Sequence, residues 1–266
     1  MYMRVLQRKE IISMLDRIQL KKEAKEIVRN AKVSAYVVTL LYLAIVYALD
    51  TTRIYVNGEA VTYLENYFPT VEIPAFLLRA LSIPPMVALF VAVVTSLLGT
   101  VLYGGWTLYH LGVRRGEHMD YTSLFDGFSF VGKLILLDIV IYIYVSLWSL
   151  LFVIPGVVAA YRYRFAVYNL CENPEMGIMD AIHMSKMQTY GYKMDLFVLD
   201  LSFFGWSLLG SLTLGILNIW ITPYIFQTDL GYFQQIKTAK GIGWFPPQDD
   251  INDGEFHARD PFDPQL

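Results

Sequence analysis

LILLDIVIYIYVSLWSLLFVIPGVVAAYRYRFAVYNLC, residues 134–171, decides how the chain is to be read. In 38 positions it holds one acid, Asp138, and two bases, Arg162 and Arg164. A soluble amphipathic helix would interrupt such a run with charge at every turn, so the stretch asks for lipid as its solvent. As one straight helix it would reach about 57 Å, nearly twice the ~30 Å of a hydrocarbon core. Two crossings fit that length better, over 134–154 and 157–170. Pro155 and Gly156 form the expected hinge between them, because proline removes a donor and glycine permits a tight reversal.

The same pattern extends to both sides. Upstream, apolar runs at 33–49 and 86–112 predict two further spans, the second carrying Gly99, Gly104 and Gly105 for close helix contact. Downstream, spans are expected at 196–214 and 217–236, separated near Gly215, with Pro223 bending the last. Between them lies a helix-start signal, Asn173 as cap with Pro174 at the first helical position, and Gly191 as a stop. Met176, Met179, Ile182 and Tyr190 then mark one face of an interfacial helix. Residues 4–32 place Ile11, Ile12, Leu15 and Ile18 at helical spacing among nine bases and four acids, which predicts an amphipathic helix. It either binds anionic head groups or is a solvated arm whose charges set topology.

Composition agrees with a membrane protein: 55% of residues are hydrophobic and 15% aromatic, above the soluble-domain balance. The formal net charge of -3 gives no basic field for nucleic acid. The placement of the bases is more informative than their sum. Nine precede the first span, Arg114, Arg115 and Lys133 join the second to the third, Lys186 and Lys193 precede the fifth, and Lys237, Lys240 and Arg259 follow the sixth. The loop at 50–85, with its Asn57-Gly58 turn, carries only Arg53 and Arg79. By the positive-inside rule this predicts six spans with both ends in the cytoplasm. The fold class expected is therefore an all-α polytopic transmembrane bundle with amphipathic surface helices. It comprises a cytoplasmic helical arm (1–32), a membrane domain (33–236) and a disordered cytoplasmic tail (237–266). The N-terminus lacks the pattern of a removable signal peptide, so the first span is expected to act as an uncleaved anchor.

Five ionisable residues fall within the spans: Asp138, Arg162, Arg164, Asp200 and Asp229. Charges in a bilayer are costly and face protein or water. Counting ~1.5 Å per residue from the cytoplasmic ends puts Asp138 and Asp200 roughly 6 to 9 Å deep, and Asp229 and Arg164 near ~10 Å. Arg164 can thus meet the acids, whereas Arg162, two residues away, points to another side. Two readings stand: a polar path or binding site for an ion, proton or anionic head group, or a set of pairs that only fix helix register. Phe125-Asp126-Gly127-Phe128 forms a candidate interfacial motif, with aromatic anchors and an acid that caps a helix.

Nothing points to a metal or cofactor. Cys171 is the single cysteine, His110 and His118 lack ligand spacing, and the methionines 176, 179, 184 and 187 have no histidine or cysteine to complete a set. No nucleophile elbow, phosphate loop or zinc-protease pair occurs, which argues against an enzyme.

Phe125-Asp126-Gly127-Phe128, the run from Leu147 to Gly156, Tyr161-Arg162-Tyr163, Asn173-Pro174, Ala181-Ile182, Ser185-Lys186, Leu201-Ser202-Phe203, Gly205-Trp206 and Pro223-Tyr224 together resemble a known family. It is the bacterial multi-span family catalogued as domain of unknown function 975, common in Gram-positive bacteria. The resemblance covers roughly residues 21–236. More distantly, the pattern is similar to the membrane domain fused to some glycerophosphodiester phosphodiesterases, whose separate catalytic domain this chain is too short to include. The resemblance implies a multi-pass protein of the bacterial plasma membrane with a lipid connection, and transfers no activity and no site. Membrane lipids are the expected partners, with a protein partner or homo-oligomer left open. The functional expectation is the binding or movement of a small solute or lipid; the competing class is a scaffold that recruits a partner.

Overall fold

The computed structural model describes residues 17–31, 33–56 and 83–245, and every regular element among them is helical. In chain order these are α1 (Arg17–Asn30), α2 (Ala35–Val56), α3 (Pro85–Arg115), a 3-10 segment (Tyr121–Phe130), α4 (Val131–Leu151), α5 (Val153–Tyr163) and α6 (Ala166–Glu172). They are followed by α7 (Ile178–Thr189), α8 (Lys193–Leu201), α9 (Phe204–Leu212) and α10 (Asn218–Lys240).

Four stretches are long and apolar enough to cross a membrane: α2, α3, the 3-10 segment running into α4 (Tyr121–Leu151), and α8 with α9 (Lys193–Leu212). At ~1.5 Å per residue α2 spans about 33 Å, about one and a half turns longer than the 33–49 run suggested. In α3 and in Tyr121–Leu151 only 11% of the apolar window is buried inside the protein. So large an uncovered apolar exterior is that of a membrane protein.

The core gathers at one end. The second half of α3 is buried from Val101 to Gly112, apart from Tyr103 and Leu108, which are partly covered. The 3-10 segment lies across this half at backbone distance. A Cβ on Gly105 would overlap the Leu124 carbonyl, and one on Gly127 would overlap the Val101 carbonyl. Gly104 similarly admits the Leu134 side chain, whereas Gly99 has open space around it.

Helix α10 runs through this core and packs against α1, α2, α3, α7 and α9. Its middle, Phe226 to Phe233, is buried although it carries Gln227, Thr228 and Asp229. A helix enclosed by protein needs no apolar exterior, which is why α10 is not among the four most lipid-like stretches. Helix α1 lays Leu20, Ala24 and Val28 on α10. That stripe differs from the one expected: Ile18 is 65% exposed, and Ile11, Ile12 and Leu15 lie outside the described residues.

The hairpin of the opening stretch reverses at Phe152, not at Pro155-Gly156. Phe152 is extended between α4 and α5, and Pro155 sits in the first turn of α5, where its missing N–H costs no helical bond. Gly156 packs against Ser149 and Tyr144 meets Tyr163 with ring centroids 5.7 Å apart, so the two helices run antiparallel. Asn173 also departs from expectation. It ends α6 and its side chain accepts from the Glu175 N–H, and the next helix starts only after Gly177. On α7 the buried face carries Ala181, Ile182, Met184, Ser185, Gln188 and Thr189, while Met179 and Tyr190 are exposed. The reversal near Gly215 is made by Leu214 and Gly215, both at positive φ. Most of the expected external loop (57–82) and of the tail (246–266) lies outside the described residues.

Candidate functional site

Two helices of the bundle are broken, and both breaks lie beside the same charges. The segment from Val153 to Glu172 is interrupted at Arg164-Phe165, and the one from Lys193 to Leu212 at Ser202-Phe203. Neither break contains proline or glycine. At the first, α7 substitutes for the missing helical bonds: the Phe165 N–H donates to Ser185 Oγ (3.1 Å), which donates to the Arg162 carbonyl (3.0 Å). Thr189 Oγ1 donates to the same carbonyl (3.2 Å). Irregular buried backbone survives only with such protein partners, since each buried unmet group costs about 1–3 kcal/mol. At the second break Lys21 of α1 donates to Ser202 Oγ (2.9 Å) and lies over the Phe203 ring.

Arg164, freed by the first break, spans two acids from two other helices. Its terminal nitrogens donate to both oxygens of Asp200 (2.6 and 2.8 Å), a bidentate pair. Its Nε donates to Asp229 Oδ2 (3.2 Å), and its Nη2 lies 2.9 Å from Asp229 Oδ1. Tyr161 donates to Asp200 (2.8 Å) and Tyr168 to Asp229 (2.6 Å). Asp229 is buried, whereas Arg164 and Asp200 are partly exposed.

A cavity of about 330 Å³ opens beside Asp229 and Arg164, walled by the rings of Tyr103, Trp106, Tyr168 and Phe226. Phe226 is the hub of this wall, with ring centroids 4.1 Å from Trp106, 5.7 Å from Tyr168 and 6.1 Å from Tyr103. The indole N–H of Trp106 is buried without an acceptor among the described residues.

The structure thus joins three of the five charged candidates and separates two. Asp138 is exposed on α4 and accepts from Thr100 on α3 (2.9 Å). Arg162 has no ion-pair partner among the described residues, and its carbonyl, not its guanidinium, is engaged. Phe125 and Phe128 are exposed neighbours, 6.5 Å apart, and Gly127 makes the backbone contact with α3. Asp126 caps nothing: α4 starts without a side-chain cap, and the Asp126 carbonyl accepts from Ser129. The expectation of an acid capping a helix is corrected here, because the 3-10 segment runs directly into α4 and leaves no free first turn.

Sequence reasoning missed the tyrosines and the aromatic wall. Tyr161, Arg164 and Tyr168 stand at i, i+3 and i+7, one face of a helix, and that register was the available signal. Away from the cavity, Glu172 and Lys237 form a buried ion pair at 2.6 Å. Asn169 and Gln188 exchange amide hydrogen bonds (2.8 and 3.0 Å), and Gln227 donates to the His110 carbonyl (2.8 Å).

A family model described as a protein of unknown function (DUF975) matches residues 14–166 and 150–240. The chain belongs to that family. No curated protein and no solved structure matches it.

Proposed function

We propose, for this member of a family whose name assigns no activity, a non-catalytic membrane protein that binds or moves a small solute or lipid at the Arg164–Asp200–Asp229 cluster. The observation that carries this reading is the coincidence of that cluster with two helix breaks and a cavity of about 330 Å³. Broken helices in membranes accompany binding sites, because the interruption brings backbone and charge to a place where lipid would not tolerate them.

In this reading the chain crosses the bilayer of a bacterial plasma membrane six times, the four long apolar stretches being joined by α5–α6 and by α10. Both ends then lie in the cytoplasm. Basic residues support the orientation: Arg114, Arg115, Lys237 and Lys240 close α3 and α10, and Arg29 closes α1, which packs on α10. The competing scaffold reading would use the N-terminal helix to recruit a partner; of that helix, the Leu20, Ala24 and Val28 face is taken up by α10.

Asp200→Asn tests the site while leaving Arg164 paired with Asp229. We expect it to lose lipid or solute retained by the purified protein in native mass spectrometry, with an unchanged unfolding temperature. Equal retention by Asp200→Asn and Arg164→Gln would refute the site. Loss only on deleting residues 1–16, which leaves α1 seated on α10, would favour the scaffold.

A further inference from the structure

We propose that the cavity beside Asp229 takes an organic ammonium group, held between the carboxylate and the aromatic wall. The inference rests on the ligand-site reading above and names the chemistry of the ligand.

The charge balance comes first. One guanidinium, Arg164, faces two carboxylates, Asp200 and Asp229, and no second basic side chain pairs with either acid among the described residues. The cluster therefore carries one formal negative charge in excess, and Asp229, its buried member, lines the cavity. An unbalanced charge in a bilayer is costly, and a cationic ligand would remove that cost.

The wall supplies the second part. Tyr103, Trp106, Tyr168 and Phe226 line one space; Trp106 is itself covered by Tyr42, stacked at 4.8 Å, and by Phe226 at 4.1 Å, and Tyr103 is the partly exposed ring of the four. Ring faces are electronegative and attract a cation, more strongly when water is excluded. Such walls suit an alkylated ammonium, whose methyl groups pack on the rings while its charge is met by the carboxylate. At about 330 Å³ the cavity is at the small end of ligand sites and suits a head group better than a whole lipid.

An anionic ligand fits poorly. The guanidinium fork of Arg164 is already committed to both acids, so a phosphate would approach two carboxylates with no free donor from arginine. Tyr168 donates its hydroxyl to Asp229, and the Trp106 indole N–H, a neutral donor without an acceptor among the described residues, does not balance two carboxylates.

Tetramethylammonium titrated calorimetrically into the full chain in phosphatidylglycerol nanodiscs tests this. Saturable binding is expected, with no competition from neopentyl alcohol, which has a similar branched shape and no charge. Asp229→Asn should weaken it at least ~10-fold, and Tyr103→Leu, which keeps both charges, about three- to tenfold. Should Asp229→Asn fail to fold, Tyr103→Leu carries the test. Equal binding of neopentyl alcohol, or an unchanged affinity in Tyr103→Leu, would overturn the ammonium assignment. Binding of inorganic phosphate without tetramethylammonium would overturn it and leave the ligand-site reading standing. If no probe binds and no lipid is retained, both fall. Displacement of tetramethylammonium by phosphatidylethanolamine nanodiscs would identify a lipid as the source of the ammonium, and equal affinity in both nanodiscs a free solute.

Discussion

The two halves of α3 follow different rules within one continuous helix. From Val101 onward it is packed, glycine-lined and crossed by a second backbone, whereas Met86, Val87, Leu89, Phe90 and Val93 face outward and are about half exposed or more. The division runs through the molecule: α4 buries Leu134 and Leu137 near its start and exposes Leu147, Trp148, Leu150 and Leu151 near its end. The lesson concerns what apolar residues do in each place. In the packed end they meet protein and set geometry; in the outer end they meet lipid tails, against which one apolar side chain serves as well as another.

That contrast can be broken by substitutions chosen in pairs. The largest effect is expected at the buried ion pair, where Glu172→Gln leaves Lys237 charged and unpartnered and should cost roughly 3–5 kcal/mol, read as a lowered unfolding temperature in detergent. The exposed Asp50–Arg53 pair of α2, 3.8 Å apart and about half exposed, should change by ~0–1 kcal/mol when Asp50 becomes Asn. Comparable losses at both pairs would erase the distinction.

Two adjacent leucines sharpen it. Leu137 is fully buried and Leu136 is 52% exposed. Leu137→Ala should destabilise by about 2 kcal/mol, the low end for a buried leucine, because in lipid only packing is lost. Leu136→Ala should shift the same melting curve by less than ~0.5 kcal/mol. A third pair concerns backbone contact. Gly105→Ala must displace the Leu124 carbonyl and should cost ~1–3 kcal/mol, while Gly99→Ala, with open space around it, should be neutral or stabilising by ~0.5 kcal/mol.

How far the sequence could be read follows the same boundary. Apolar runs reveal which stretches prefer lipid, so the all-helical class and the long stretches at α2, α3 and α4 were legible. Helix breaks were not. Arg164-Phe165 and Ser202-Phe203 contain no breaker residue, and the first depends on Ser185 and Thr189 arriving from α7. Depth counting put Asp138 and Asp200 at one level, but only the assembled bundle sends Asp138 to Thr100 and Asp200 to Arg164. Asn173-Pro174 has the letters of a helix start, yet Asn173 closes α6, with the Lys133 ammonium on the Pro174 carbonyl. Short signals of that kind lose to tertiary contacts that no local pattern encodes.

The seating of α1 on α10 has a consequence for biosynthesis. The first described helix to leave the ribosome binds the last one, so Leu20, Ala24 and Val28 stay uncovered until residues near Gly231 have been made. Closing so distant a contact is slow and leaves intermediates prone to aggregation. A nascent chain halted before α10 is therefore expected to expose that stripe to chaperones, and to release it when translation resumes.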